Sequence, residues 1–163
     1  DFHARFDAKK RTYIYLIKNS NVPLGIEFDN FLWIRSRLNE NQMNKAAKKL
    51  LGEHDFSSFR ASGCQSKSVT RRIYKANVTR KKNYLIFEVT ANAFLLNMIR
   101  IIVGTLIKVG RNEITPKDFE NIIKKRDRKL AGRTIEAKGL YFVGPEYNNL
   151  KYKVNKVFIN ELD

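Results

Sequence analysis

Apolar and polar residues alternate in several stretches of the chain, and this period of two predicts strands. Residues 11–17 combine aromatic and β-branched side chains and predict a first strand, and residues 31–34 predict a short second one. Residues 71–79 and 84–91 predict a β-hairpin, because four polar residues separate the two runs. A last short strand is predicted over residues 139–143.

A period near 3.6 residues predicts helices elsewhere. Asn39 is a favourable N-cap for a helix over residues 40–51, whose apolar side chains fall on one stripe. Thr115 and Pro116 suit the N-cap and first position of another amphipathic helix, which ends near residue 125. Because strands and helices follow no regular βαβ order, we predict an α+β fold, a largely antiparallel sheet with helices packed on one face.

Residues 92–109 are apolar on all sides, which predicts a helix that is either buried or membrane-spanning. A membrane span needs about 20 apolar residues without a central charge. Arg100 lies in the middle of this stretch, so we predict burial. An arginine there is either snorkelling or structurally paired, or it holds an acidic catalytic group or an anionic substrate. The chain contains no carboxylate that is its obvious partner.

Composition narrows the class of protein. The 163 residues include 32 Lys and Arg against 16 Asp and Glu, which gives a net charge of +16 and a pI near 10.1. Since charges are seldom buried unpaired, the surface carries this excess and favours a polyanion, first nucleic acid and second an acidic membrane. The single cysteine excludes an intramolecular disulfide, and two distant histidines leave little for a zinc centre.

The basic residues are concentrated in clusters, which points to nucleic acid more than to a merely solvated face. Residues 60–87 contain eight Lys and Arg and no acidic residue. Tyr13 shares a predicted strand face with Arg11, so its ring can stack on an unpaired base; the alternative is a half-buried strand tyrosine. The residues that we predict to bind RNA are Lys9, Lys10, Arg11, Arg60, Arg71, Arg72, Lys81 and Lys82.

Seven short motifs follow the order and spacing of motifs in one enzyme family. They are residues 1–6 (DFHARF), 11–15 (RTYIY), 51–60 (LGEHDFSSFR), 64–66 (CQS), 91–100 (ANAFLLNMIR), 102–105 (IVGT) and 139–141 (GLY). With these motifs, residues 1–147 resemble the C-terminal, RNA-binding and catalytic-cleft domain of the tRNA pseudouridine synthase A family. Residues 148–163 form a C-terminal tail whose weak alternation of apolar residues assigns it to no particular element.

The resemblance implies a reaction and a set of site residues. The reaction is isomerisation of uridine to pseudouridine at positions 38 to 40 of the tRNA anticodon stem-loop, with no cofactor and no metal. Arg100 would pair with a catalytic aspartate, Tyr13 would pack against the target base, and Leu140 would be an apolar contact near the uracil. The fold would be the second half of a two-part α+β enzyme, shaped like a ferredoxin or RRM module. Such an enzyme would be cytoplasmic and homodimeric, and would bind tRNA and no membrane.

One element of the family pattern is missing from this sequence. The family's catalytic aspartate lies on a Gly-Arg-Thr-Asp loop, whereas residues 132–134 are Gly-Arg-Thr followed by Ile135, which carries no acid. The chain also opens at Asp1 without a methionine, so we expect it to be part of a longer polypeptide and inactive alone. The alternatives are a non-catalytic RNA-binding module and a peripheral membrane protein, for which no exposed amphipathic helix is evident.

Overall fold

Six strands form one sheet, and three α-helices pack against it, within residues 3–4, 6–23, 29–148 and 162, which the computed structural model describes. The elements are β1 (Lys10–Asn19), β2 (Leu32–Ile34), α1 (Glu40–Lys48), β3 (Gly52–Asp55), β4 (Thr70–Lys81), β5 (Tyr84–Ala91), α2 (Met98–Gly110), α3 (Pro116–Lys125) and β6 (Leu140–Glu146). The strand order is β2-β1-β5-β4-β3, and β6 pairs with the side of β1 that β5 leaves open. Only the β1–β2 pairing is parallel among these strands. The predicted α+β fold is confirmed.

The central strand, β1, is buried on both faces. Tyr13, Tyr15 and Ile17 face the helices and the main apolar core. Ile14 and Leu16 face the opposite side of the sheet, where they belong to a second, smaller cluster and are at most 1% exposed. The alternation of side chains in the sequence therefore correctly assigns the two faces, because successive side chains of a strand point to opposite sides.

The starts of α1 and α3 follow the capping rules. The side chain of Asn39 accepts a hydrogen bond from the N–H of Gln42 at 3.1 Å. Thr115 and Asp118 form a capping box, in which each side chain accepts from the other residue's backbone N–H, and Pro116 is the first helical residue. Both predicted N-caps are confirmed.

Two of the predicted boundaries are wrong. The first helix ends at Lys48 and is followed by β3, a strand that the sequence did not predict. This strand begins at Gly52, whose φ of +93° lies in the region that favours glycine. The side chains of β3 do not alternate between apolar and polar. The apolar helix α2 begins at Met98 and not at residue 92, because Asn97 takes a left-handed conformation with a φ of 57°.

The segment that connects α3 to β6 lies directly on α2. A Cβ atom at Gly104 would collide with the carbonyl oxygen of Arg133, so the approach needs glycine at this position. The Oγ1 of Thr105 accepts a hydrogen bond from the N–H of Gly132 at 2.8 Å. The two contacts fix the path of this segment across α2.

The tail predicted over residues 148–163 lies almost wholly outside the described residues. Leu162 is described, and it is buried in the second apolar cluster with Ile14 and Leu16.

α2 is buried along most of its 13 residues, as predicted. Within the described part of the chain, none of the helices is long and apolar enough to cross a membrane.

Candidate active-site pocket

Three of the predicted site residues meet in one pocket of about 260 Å³. Tyr13 comes from the first half of β1, Arg100 from the first turn of α2, and Leu140 from the start of β6. The rest of the wall is the irregular segment before α2 and the beginning of that helix, Phe94, Leu95, Leu96, Asn97, Met98 and Ile99. The pocket is therefore mostly apolar with one cation, a composition that suits a planar ring attached to an anionic chain.

Two neutral acceptors hold the guanidinium of Arg100. Its Nε donates to the carbonyl oxygen of Ile135 at 2.6 Å, and its Nη1 donates to Oδ1 of Asn97 at 3.1 Å. Among the described residues, no carboxylate forms an ion pair with Arg100. The positive end of α2 adds to the positive potential at this site, and the first turn of α2 contains no acidic residue. The positive charge of Arg100 is therefore not balanced by an ion pair within the described part of the chain.

The ring of Tyr13 is held by two other aromatic rings. Phe94 meets it edge-on with a centroid separation of 5.3 Å, and Phe142 of β6 lies 5.0 Å away. Phe142 is 55% exposed, so this aromatic group opens towards solvent. Phe94 and Phe142 were not among the predicted site residues. The register of β1 with β6 puts Tyr13 opposite Phe142, and this pairing could not be deduced from the sequence.

Leu140 is placed by the backbone just before it. A Cβ atom at Gly139 would lie 2.6 Å from the carbonyl oxygen of Leu16, so only glycine lets β6 come this close to β1 here. The hydroxyl of Tyr15 donates to the carbonyl oxygen of Glu136 at 2.6 Å and ties down the same segment. Burial raises the pKa of Tyr15, so this hydroxyl stays protonated and remains a donor.

A second groove of about 590 Å³ adjoins the pocket and shares Tyr13 and residues 94–96 with it. Arg11 and Arg71 line this groove and make it basic. Arg71 is only 9% exposed and donates to the Oγ of Ser66 and to the carbonyl oxygens of Ser68 and Thr70. No carboxylate within the described ranges forms an ion pair with it, and burial lowers its pKa.

Cys64 also lines this groove. Hydrogen bonds from the backbone N–H groups of Leu96 and Ser66, together with the nearby Arg60, hold the pKa of its thiol below the ordinary value. Arg60 donates to the carbonyl oxygens of Cys64 and Ser66. The guanidinium of Arg60 thus shapes the wall of the groove.

The basic residues predicted to bind RNA do not form a single patch. The pocket end of the sheet, where Arg11 and Ile73 are in register with Ala91, carries Lys9, Lys10, Arg11, Arg60, Arg71 and Arg72. The turn end, where Lys18 and Lys81 are in register with Tyr84, carries Lys81 and Lys82. Seven residues of β5 separate the ends, which at about 3.3 Å per residue is about 23 Å.

Similarity to a protein-family model shows which enzyme family the chain belongs to. Residues 46–148 match the model described as tRNA pseudouridine synthase. The chain belongs to the tRNA pseudouridine synthase family. This match includes Arg100 and Leu140 and ends at the first residue of the predicted tail, while Tyr13 lies upstream of it.

Curated members of this family cover almost the whole chain. A tRNA pseudouridine synthase A of Francisella philomiragia is 43% identical over 153 residues, or 94% of the chain and 59% of that relative. One from Vibrio campbellii is 46% identical over 147 residues, or 90% of the chain and 56% of the relative. One from Francisella tularensis subsp. novicida is 44% identical over 153 residues. The chain spans less than three fifths of the length of these relatives.

A larger cavity of this tRNA pseudouridine synthase family member does not contain the predicted site. It has about 770 Å³ and lies between β2, α2 and residues 133–136. Four basic residues and two acidic ones line it: Arg35, Lys108, Arg111, Arg133, Glu113 and Glu136. The smaller pocket is the better candidate because the three predicted residues meet there.

Proposed function

We propose that this chain supplies the uracil-binding half of the active site of a tRNA pseudouridine synthase. The substrate would be uridine at positions 38 to 40 of the tRNA anticodon stem-loop. The observation that carries the proposal is the convergence of Tyr13, Arg100 and Leu140 on one pocket. A basic groove that opens beside this pocket supports a nucleic-acid substrate over a free nucleoside.

The flipped base would lie between Tyr13 and Leu140, with its ribose and phosphates towards the basic groove. Removing a base from its stack costs a few kcal/mol, which contacts between tRNA and the protein must offset. Arg11 and Arg71 would contact phosphates next to the flipped nucleotide; both line the groove that shares Tyr13 with the pocket. Lys9, Lys10, Arg60 and Arg72 would add to the positive potential at this end of the sheet.

The nucleophile would be an aspartate from polypeptide outside these 163 residues. Arg100 would bind its carboxylate through the guanidinium hydrogens that Ile135 and Asn97 leave unused. A cation paired with the carboxylate would keep it ionised, as a nucleophile requires.

The reaction would need only these groups. Attack of the aspartate on C1′ would break the C1′–N1 bond; the uracil would rotate, and C5 would then bond to C1′ as the bond between C1′ and the aspartate breaks. C5 loses its proton to solvent and N1 gains one. The product is an isomer of the substrate, so no oxidant, reductant or cofactor is required.

Release of tritium from tRNA labelled at C5 of uridine tests the proposal. The polypeptide encoded by the complete reading frame should release tritium, because C5 loses its hydrogen when the new bond forms. The 163-residue chain alone should not, since it lacks the aspartate. Release by the short chain would contradict the role assigned to the aspartate, and binding of tRNA without release by the complete polypeptide would favour a non-catalytic RNA-binding module.

A homodimeric and cytoplasmic enzyme is part of the same proposal. It is supported only by membership of the family. Light scattering on the complete polypeptide would test the dimer, and fractionation of cells would test the location.

A further inference from the structure

Asn97 departs from the usual behaviour of an N-cap residue. An asparagine at this position normally has extended backbone, and its side chain accepts a hydrogen bond from a backbone N–H in the first turn of the helix. Asn97 has a φ of 57° and a ψ of 10°, and its side chain makes no such bond. Asparagine tolerates left-handed backbone better than most residues, and such backbone is often found at functional sites. The conformation therefore needs a reason other than capping.

The side chain of Asn97 is used by Arg100 instead. Its Oδ1 accepts from Nη1 of Arg100 at 3.1 Å, while the carbonyl oxygen of Ile135 accepts from Nε at 2.6 Å. With two bonds at different nitrogens, the plane of the guanidinium is fixed. Nη2 has no partner within the described ranges, so it remains available to a ligand.

The chemistry of the two acceptors is as important as their geometry. An amide and a backbone carbonyl orient a guanidinium without neutralising its charge. Arg80, which is 11% exposed on its side chain, shows the contrast: its Nε lies 3.1 Å from a carboxylate oxygen of Glu40. Arg80 is an arginine with its charge compensated inside the chain, whereas the positive charge of Arg100 is preserved.

We propose that Asn97 is a positioning residue that aims the guanidinium of Arg100 at the catalytic carboxylate while leaving its charge uncompensated. This inference rests on the proposed function. The residue must be an asparagine because two demands coincide. It must tolerate the left-handed conformation, and it must provide a neutral acceptor one helical turn before Arg100.

The test is the nearly isosteric substitution Asn97→Asp in the polypeptide of the complete reading frame. Aspartate also tolerates the left-handed conformation, but its carboxylate would form an ion pair with Arg100 and compete with the catalytic aspartate. We expect kcat for tritium release to fall about a hundredfold with KM for tRNA within threefold, because the loss concerns alignment at the reacting centre. Asn97→Gly keeps the backbone conformation and removes the acceptor, and should lower kcat about tenfold.

Asn112→Asp is the matched control. Asn112 also has a left-handed backbone, with a φ of 58°, but it is exposed and lies beyond the other end of α2. This variant should keep kcat within twofold. Thermal unfolding of all three variants separates misfolding from misalignment.

The outcomes separate this inference from the function on which it rests. If the wild-type protein is active and the Asn97→Asp variant has the same kcat, the positioning role is wrong and the proposed function stands. If the Asn97→Asp variant unfolds, the Asn97→Gly variant tests the positioning role in its place. A normal kcat in the Asn97→Gly variant would also overturn that role. An inactive complete wild-type polypeptide would overturn the proposed function and the positioning role together.

Discussion

The pocket end and the turn end of the sheet are both basic, but they hold their charges in different ways. At the pocket end, Arg60 and Arg71 donate to backbone carbonyls of the loop between β3 and β4, and Arg11 donates to the carbonyl oxygens of Ala8 and Asn92. At the turn end, Lys82 lies in the hairpin turn with a φ of 51° and is exposed.

Arginines anchored on backbone carbonyls and lysines on a turn suit different tasks in binding a polyanion. A guanidinium held by carbonyls keeps its charge at one place, which suits recognition of a single nucleotide beside a pocket. A lysine on an exposed turn contributes to long-range attraction, which weakens as salt increases. Changes at the pocket end should therefore affect turnover, and changes at the turn end should affect only the salt dependence of binding.

The largest effect is expected from Arg100→Ala in the complete polypeptide. Turnover should fall at least about a thousandfold, because the catalytic carboxylate loses its cation, while affinity for tRNA should stay within about tenfold. Tritium release and filter binding measure the two quantities. Arg37→Ala, which removes an exposed arginine that pairs with Glu40, is the control and should be active. Near-normal rates in Arg100→Ala would show that this arginine is only structural.

The double substitution of Arg71 and Arg72 by Gln should have the next largest effect. We expect affinity for tRNA to fall about tenfold or more and the log–log salt slope of binding to flatten by up to about two. The fold should also lose stability, by about 1–3 kcal/mol, because the partners of Arg71 in the loop lose a donor. Binding at several salt concentrations and chemical unfolding measure these effects. An unchanged slope would mean that neither arginine contacts phosphates.

A smaller effect is expected from the matching double substitution at the turn end, Lys81 and Lys82 to Gln. The salt slope should flatten by up to about two, with kcat at saturating tRNA unchanged, since the turn lies about 23 Å from the pocket end. A fall in kcat at saturating tRNA in this lysine variant would contradict the distinction between the two ends.

The smallest effect concerns Cys64 at the pocket end. Because hydrogen bonds from Leu96 and Ser66 lower the pKa of its thiol, a larger fraction is thiolate at pH 7.5 than in an unfolded chain. Iodoacetamide should therefore modify Cys64 a few-fold faster in the folded protein than in urea, as measured by mass spectrometry of its peptide. Bound tRNA should slow the reaction by covering the groove. Equal rates with and without tRNA would contradict the assignment of this groove to RNA.

Local rules predict the fold where a signal is confined to neighbouring residues. The caps at Asn39 and Thr115 and the β4–β5 hairpin are such cases. No local rule predicts the start of α2. The residues before it are as apolar as those of a buried helix, but they form the wall of the pocket. β3 was missed because an edge strand of four largely polar residues carries no alternation.

The candidate site was predictable in part. The charge of Arg100 within an apolar stretch and the position of Tyr13 beside Arg11 stand out in the sequence, while Leu140 came only from the family resemblance. The acceptors at Asn97 and Ile135 depend on the packing of the α3–β6 connection on α2, which no local pattern predicts. The separation of the basic residues into two ends depends on strand register, which also lies beyond the sequence pattern.

The most direct test of the account is a crystal structure of the polypeptide encoded by the complete reading frame. We predict that an aspartate from outside the 163 residues places its carboxylate within about 4 Å of Nη1 or Nη2 of Arg100, the distance of an ion pair. This carboxylate should face the pocket between Tyr13 and Leu140. An Arg100 that has no carboxylate partner, or one whose partner is buried away from that pocket, would contradict the account.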